Sequence, residues 1–261
     1  HMKLAMRGLW GRAQEALARL DEARSRGIEV TADVYPYEYW QSTMTVLFPE
    51  RDFTDREAAR FALEELAPPD GMIIGRFEAD PTLEGMTLEE IALARGEDPV
   101  TTYLDLIAQS QARGRETGSA GESIVATSMA PEDITTLLGW EHTNVSSDGG
   151  LSGAHPRGYG AFPRVLGRYV GAEGLLSLEE AVHKMTGLSA AHMGLTGRGS
   201  IEPGATADLV LFDPGTVLDR ATPETPHLTS TGIRAVWVGG EVVYTEEGGP
   251  SGATPGVVLR R

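Results

Sequence analysis

The chain has 261 residues, 41% of them apolar, no cysteine and a formal net charge of −16 at pH 7. That is enough apolar material for a packed core, and the missing thiols exclude disulfides and cysteine-ligated metals, leaving histidines and carboxylates as the only ligands for an ion. The charge excludes nucleic acid and anionic membrane as partners, and without an apolar run of about 18 residues or a secretory leader pattern a cytoplasmic protein is expected.

His1 and Met2 read as the remnant of a cleaved affinity tag ahead of a chain that begins inside a longer protein. Residues 12–26 place Ala13, Ala16, Leu17, Leu20 and Ala23 at helical spacing, with Glu15/Arg19 and Glu22/Arg26 one turn apart on the wet side; Gly27 ends that helix. Residues 28–35, IEVTADVY, predict a buried strand, and the aromatic and hydroxyl cluster YPYEYWQST follows as a loop at its C-terminal end. Residues 48–121 are acidic and helical around one apolar run, GMIIGRF, with a capping box expected at Thr54 and Glu57 and a helix start at Asp98-Pro99. Such a block reads as a lid inserted between barrel strands, able to select substrates by shape. A strand is expected at residues 123–129 and a helix from Pro131.

Residues 143–164, TNVSSDGGLSGAHPRGYGAFPR, then bring an aspartate to the end of a short strand and into a glycine-rich loop that also carries His155 and Arg157. Polar groups fixed at a strand end, with a pliant loop behind them, are how barrel enzymes build sites. The alternative is an Asp-Gly-Gly that only closes a turn. Helices are expected at 161–170, 178–185 (with a Ser177/Glu180 capping box) and 189–193. From Gly199 the period becomes two, with strands at 207–212, 233–238 and 241–244, the last pair joined by Gly239-Gly240.

The segments SLEEAVHKMTGLSAAHMGLTGRGSIEPGATADLVLFDPGTV and IRAVWVGGEVV resemble the end of the amidohydrolase superfamily; ADVYPYEYWQST, SSDGG and AHPRGYGAFPRVLG resemble, more narrowly, the N-acyl-D-amino-acid deacylases (D-aminoacylases). The resemblance implies an α/β fold: the C-terminal part of a (β/α)8 metal-dependent hydrolase barrel over residues 1–198, with a helical lid at 48–121, followed by a small β-sandwich segment at 199–261. The family's opening His-x-His and further metal ligands are absent, so the resemblance marks this chain as a fragment, inactive by itself.

By the same resemblance Asp148 is the last-strand aspartate that approaches zinc and serves as general base, and His1 falls at the strand-six metal ligand, which a tag histidine explains equally well. Arg157 matches the arginine that holds the substrate carboxylate, bidentate capture suiting a guanidinium. Tyr35, Tyr37 and Ser42 match hydroxyl contacts to that carboxylate, with the register between Gln41 and Ser42 open. Met129 matches a side-chain pocket position or is plain core, and His155 orients a ligand or shapes its loop. The implied function is zinc-dependent hydrolysis of N-acyl-D-amino acids to a carboxylate and a D-amino acid. The alternatives are a dihydroorotase- or hydantoinase-like hydrolase, and a non-catalytic half-barrel whose open edges pair with the missing N-terminal half or with a second copy.

Overall fold

The computed structural model describes residues 1–259. Its framework is a pair of short parallel strands, β1 (Ala32–Val34) and β5 (Thr143–Val145), in register from Ala32 opposite Thr143 to Val34 opposite Val145. The first residues run beside β1, the Met2 amide donating to the Asp33 carbonyl at 2.8 Å, with Leu4 buried below. Around this pair pack α1 (Ala13–Ser25), α5 (Pro131–Gly139), α6 (Arg157–Arg164, running into a π turn at Val165–Ala172), α7 (Leu178–Met185) and the short α8 (Gly187–His192). Val34, Val145, Leu17, Ile134, Leu137 and Val165 meet in one core. Met129 is inside it, 2% exposed, so it packs as core.

Residues 39–127 build a second core. Strand β2 (Tyr39–Ser42), β3 (Met72–Phe77) and β4 (Glu122–Thr127) form an antiparallel sheet in the order β2-β4-β3. Helices α2 (Arg56–Phe61), α3 (Leu88–Arg95) and α4 (Pro99–Thr117) bury Ala59, Ile91, Tyr103, Leu106 and Ile107 against it. The start of α4 has a local cause: Asp98 accepts the Thr101 amide at 3.1 Å, Pro99 supplies a preset φ, and Gly118 closes the helix in the left-handed region at φ 80°.

Three expectations shift here. The aromatic segment after β1 is not all loop, since Tyr39–Ser42 pairs with β4 from Tyr39 opposite Thr127 to Ser42 opposite Ile124. The strand expected at 123–129 forms, but as the middle of this antiparallel sheet and not beside β1. At α2 the cap is Asp55, which takes the Glu57 and Ala58 amides, while Thr54 turns back to Asp52; the charged acceptor one residue later wins the helix start.

The tail forms a third, antiparallel sheet, β6 (Leu209–Phe212), β7 (Ile233–Val238), β8 (Glu241–Thr245) and β9 (Gly249–Pro250), with the hairpin at Gly239-Gly240 as expected. Among the described residues no helix is long and apolar enough to cross a membrane.

Candidate active site

The C-terminal ends of β1 and β5 open on one mouth, and both strands deliver a carboxylate there. Asp148, three residues past β5, has φ 48°, one of two non-glycine residues in the left-handed region among the described residues. An aspartate tolerates that conformation better than most residues, and such outliers gather where geometry serves function. Behind it the backbones of Gly149 and Gly158 touch, and a Cβ at Gly149 would stand 2.8 Å from the Gly158 nitrogen. The two motifs that carry Asp148 and Arg157 are therefore locked together by the absence of side chains.

Asp148 is held from two sides. Its Oδ2 lies 3.0 Å from Arg157 Nη2 and 3.2 Å from His1 Nε2. The other ring nitrogen of His1 bonds to Asp33 at the end of β1 and lies 2.9 Å from Ser146 Oγ, which donates to Asp33 Oδ2 at 2.7 Å. The imidazole thus bridges the carboxylates of the two strands. Arg157 is 8% exposed and lies with Cζ 4.7 Å from the centre of the Tyr35 ring, while Lys3 Nζ approaches the same ring to 4.8 Å. Burial, followed by the nearby Arg157 charge, lowers the Lys3 pKa below the usual lysine range. The Tyr35 hydroxyl is pushed up to about 12, chiefly by burial. Two buried polar atoms at this mouth have no partner, Tyr35 OH and Arg157 Nη1. The mouth thus balances two cations against two carboxylates, and its open donors can serve an anionic group.

Of the residues singled out from sequence, the fold brings His1, Tyr35, Asp148 and Arg157 together. Tyr37 lies one layer away, its hydroxyl donating to Asp219 Oδ2 at 3.3 Å and its ring under Arg164 at 4.6 Å. Ser42 lines a neighbouring cavity of about 370 Å³ with Lys3, Trp40, Val46 and Leu47. Gln41 lines the same cavity, and its Oε1 takes the His155 amide at 3.1 Å. His155 is 2% exposed, buried behind Tyr35 and Arg157. Sequence reading passed over Lys3, Asp33 and Ser146 as site residues. The available signals were the two-residue spacing of Lys3 from His1 and the position of Asp33 and Ser146 at the ends of paired strands.

His1 and Asp148 are the groups placed to share an ion. Their 3.2 Å separation is close to the roughly 3.3 Å edge of a tetrahedron with zinc bonds of 2.0–2.1 Å, so the pair fits two ligand positions. Among the described residues no three His, Cys, Asp or Glu side chains converge as a full ligand set.

The chain is similar to known proteins along its whole length. The chain is 38% identical to N-acyl-D-glutamate deacylase and 35% identical to D-aminoacylase, both of Alcaligenes xylosoxydans xylosoxydans, over 100% and 95% of its length but 47% and 45% of theirs. It superposes with a TM-score of 0.81 and 35% identity on the crystal structure of D-aminoacylase, covering all of this chain and 49% of that one. The same values hold for N-acyl-D-glutamate deacylase from Bordetella bronchiseptica, solved with zinc and a phosphonate mimic of the tetrahedral intermediate. The chain thus spans about half the length of the relatives it matches. The amidohydrolase family model aligns with residues 52–244, which take in most of the second core and the aspartate and arginine of the mouth: the chain belongs to the amidohydrolase family.

Proposed function

We propose that these residues form the substrate-holding half of a metal-dependent N-acyl-D-amino-acid deacylase, with β1 and β5 as strands of its (β/α)8 barrel and residues 39–127 as the cover over its mouth. The observation that carries this reading is the pair of unpartnered buried donors, Tyr35 OH and Arg157 Nη1, beside Asp148. A substrate carboxylate would take both, converting two costly orphan groups into charge-assisted hydrogen bonds.

His1 and Asp148 would hold one edge of the zinc site, His1 through Nε2, with Asp33 and Ser146 fixing its ring through Nδ1. Zinc, when bound, supplies an acidified water and polarises the amide oxygen. Asp148, released from Arg157 as the substrate carboxylate takes the guanidinium, accepts a proton from water and returns it to the departing amine. The remaining ligands would come from polypeptide beyond these 261 residues, in keeping with the half-length match to the relatives.

The experiment is hydrolysis of N-acetyl-D-amino acids with zinc, by this chain and by a protein extended to the relatives' length. Turnover is expected only in the extended protein, selective for the D-enantiomer and lost in Asp148→Asn. Turnover by the 261 residues alone, or indifference to Asp148→Asn, contradicts the reading.

A further inference from the structure

The ring of His155 touches neither Asp148 nor the open donors, yet it is among the most constrained side chains in the molecule. Both ring nitrogens are occupied by backbone groups of separate segments. Nδ1 accepts the Arg157 amide N–H at 3.0 Å, and Nε2 lies 3.0 Å from the Tyr39 carbonyl, which can only accept, so Nε2 carries the proton. Three tyrosine rings, Tyr35, Tyr37 and Tyr39, meet it edge to face at 5.7, 5.4 and 6.4 Å between centroids. Its own amide is held by Gln41 from β2.

The bond to Arg157 has a definite purpose in the helix. Arg157 is the first residue of α6, so its N–H has no partner within the helix. The capping position is Pro156, whose side chain cannot accept a hydrogen bond, and the histidine before it fills that role. The other nitrogen reaches the first residue of β2.

We propose that His155 is a positioning residue that latches the start of β2 to the first turn of α6 and thereby holds the Arg157 guanidinium over Tyr35. The role rests on the reading of Arg157 as the carboxylate holder, and it makes the placement of that arginine depend on the antiparallel sheet to which β2 belongs. Burial, the main cause, pushes the His155 pKa down to about 3, in keeping with a ring that stays neutral in this tautomer. The competing role is a filler between the tyrosines.

Two substitutions separate the roles. The carboxamide oxygen of His155→Asn reaches the place of Nδ1 and can still accept the Arg157 amide; the amide group of His155→Gln reaches the place of Nε2 and leaves that N–H unpaired. With the 261-residue chain and N-acetyl-D-leucine as probe, the asparagine variant should bind within about threefold of the parent. The glutamine variant should bind about tenfold more weakly and lose hydrogen-exchange protection at the Arg157 amide. A filler predicts that glutamine, closer to histidine in volume, does at least as well as asparagine, and that result overturns the proposal.

Should neither variant fold, the unsubstituted chain decides. Its histidine 15N spectra should show Nε2 protonated, Nδ1 bare and coupled through the hydrogen bond to the Arg157 amide, between about pH 5 and 8. The opposite tautomer overturns the latch. Correct tautomer and coupling without saturable probe binding would retire the carboxylate role of Arg157 and leave the latch standing.

Discussion

The backbone of Gly149 rests directly on that of Gly158, which sets the distance between Asp148 and Arg157 without any side chain intervening. A methyl group at Gly149 would have to displace main chain, not a pliant side chain. Gly149→Ala should destabilise the fold by about 1–3 kcal/mol and weaken N-acetyl-D-amino acid binding more than tenfold. Thermal unfolding and ligand titration of the same variant check both; a variant that binds normally removes the interlock.

Tyr35→Phe tests the open donors. The hydroxyl is buried without a partner, so its removal should leave stability unchanged or raise it by up to about 1 kcal/mol, while binding of the carboxylate probe weakens. Urea unfolding beside ligand titration separates the two effects. A stability loss above 1 kcal/mol would mean the hydroxyl has an internal partner.

Arg157→Lys keeps the charge and discards the planar fork and its stacking on Tyr35. Binding of N-acetyl-D-amino acids should fall about tenfold or more, with little change for a monovalent anion such as chloride. Equal affinities for arginine and lysine forms would reduce the role to bulk charge.

Glu122 carries a pH dependence of its own. It is buried in the second core, where desolvation raises its pKa to about 7 although both oxygens accept the Met44 amide. A carboxyl raised above its unfolded value of 4.5 favours the folded state most when neutral. Its contribution is complete below pH 4.5 and is lost as pH rises through about 7. Glu122→Gln should therefore be more stable than the parent at pH 8, by up to about 3 kcal/mol, and similar at pH 4.5. Urea midpoints at the two pH values give the difference; a pH-independent offset would show that Glu122 is not the titrating group.

Local signals recovered much of the fold. The α1 stripe and the Ser177/Glu180 box at α7 were readable because each element states its start and its buried face within a few residues. The partnership of β4 was not, because an apolar run such as ESIVAT suits a parallel or an antiparallel neighbour equally and only the chain's path from β2 decides. At the mouth, Asp148 and Arg157 were visible through their glycine-rich company. His155 shares that company and Tyr37 stands in the aromatic cluster after β1, yet the fold turns Tyr37 to Asp219 and His155 to backbone, a choice set by contacts 182 and 116 residues away in sequence.

Asp133 closes the account of how the mouth is assembled. Its carboxylate takes the Gly11 and Ala13 amides at 2.8 and 3.0 Å, capping α1 from 120 residues downstream. The start of α1 cannot be completed until α5 is in place. Closing so long a loop is slow, so the segment with His1 and Lys3 docks later than the antiparallel sheet built from residues 39–127 can form.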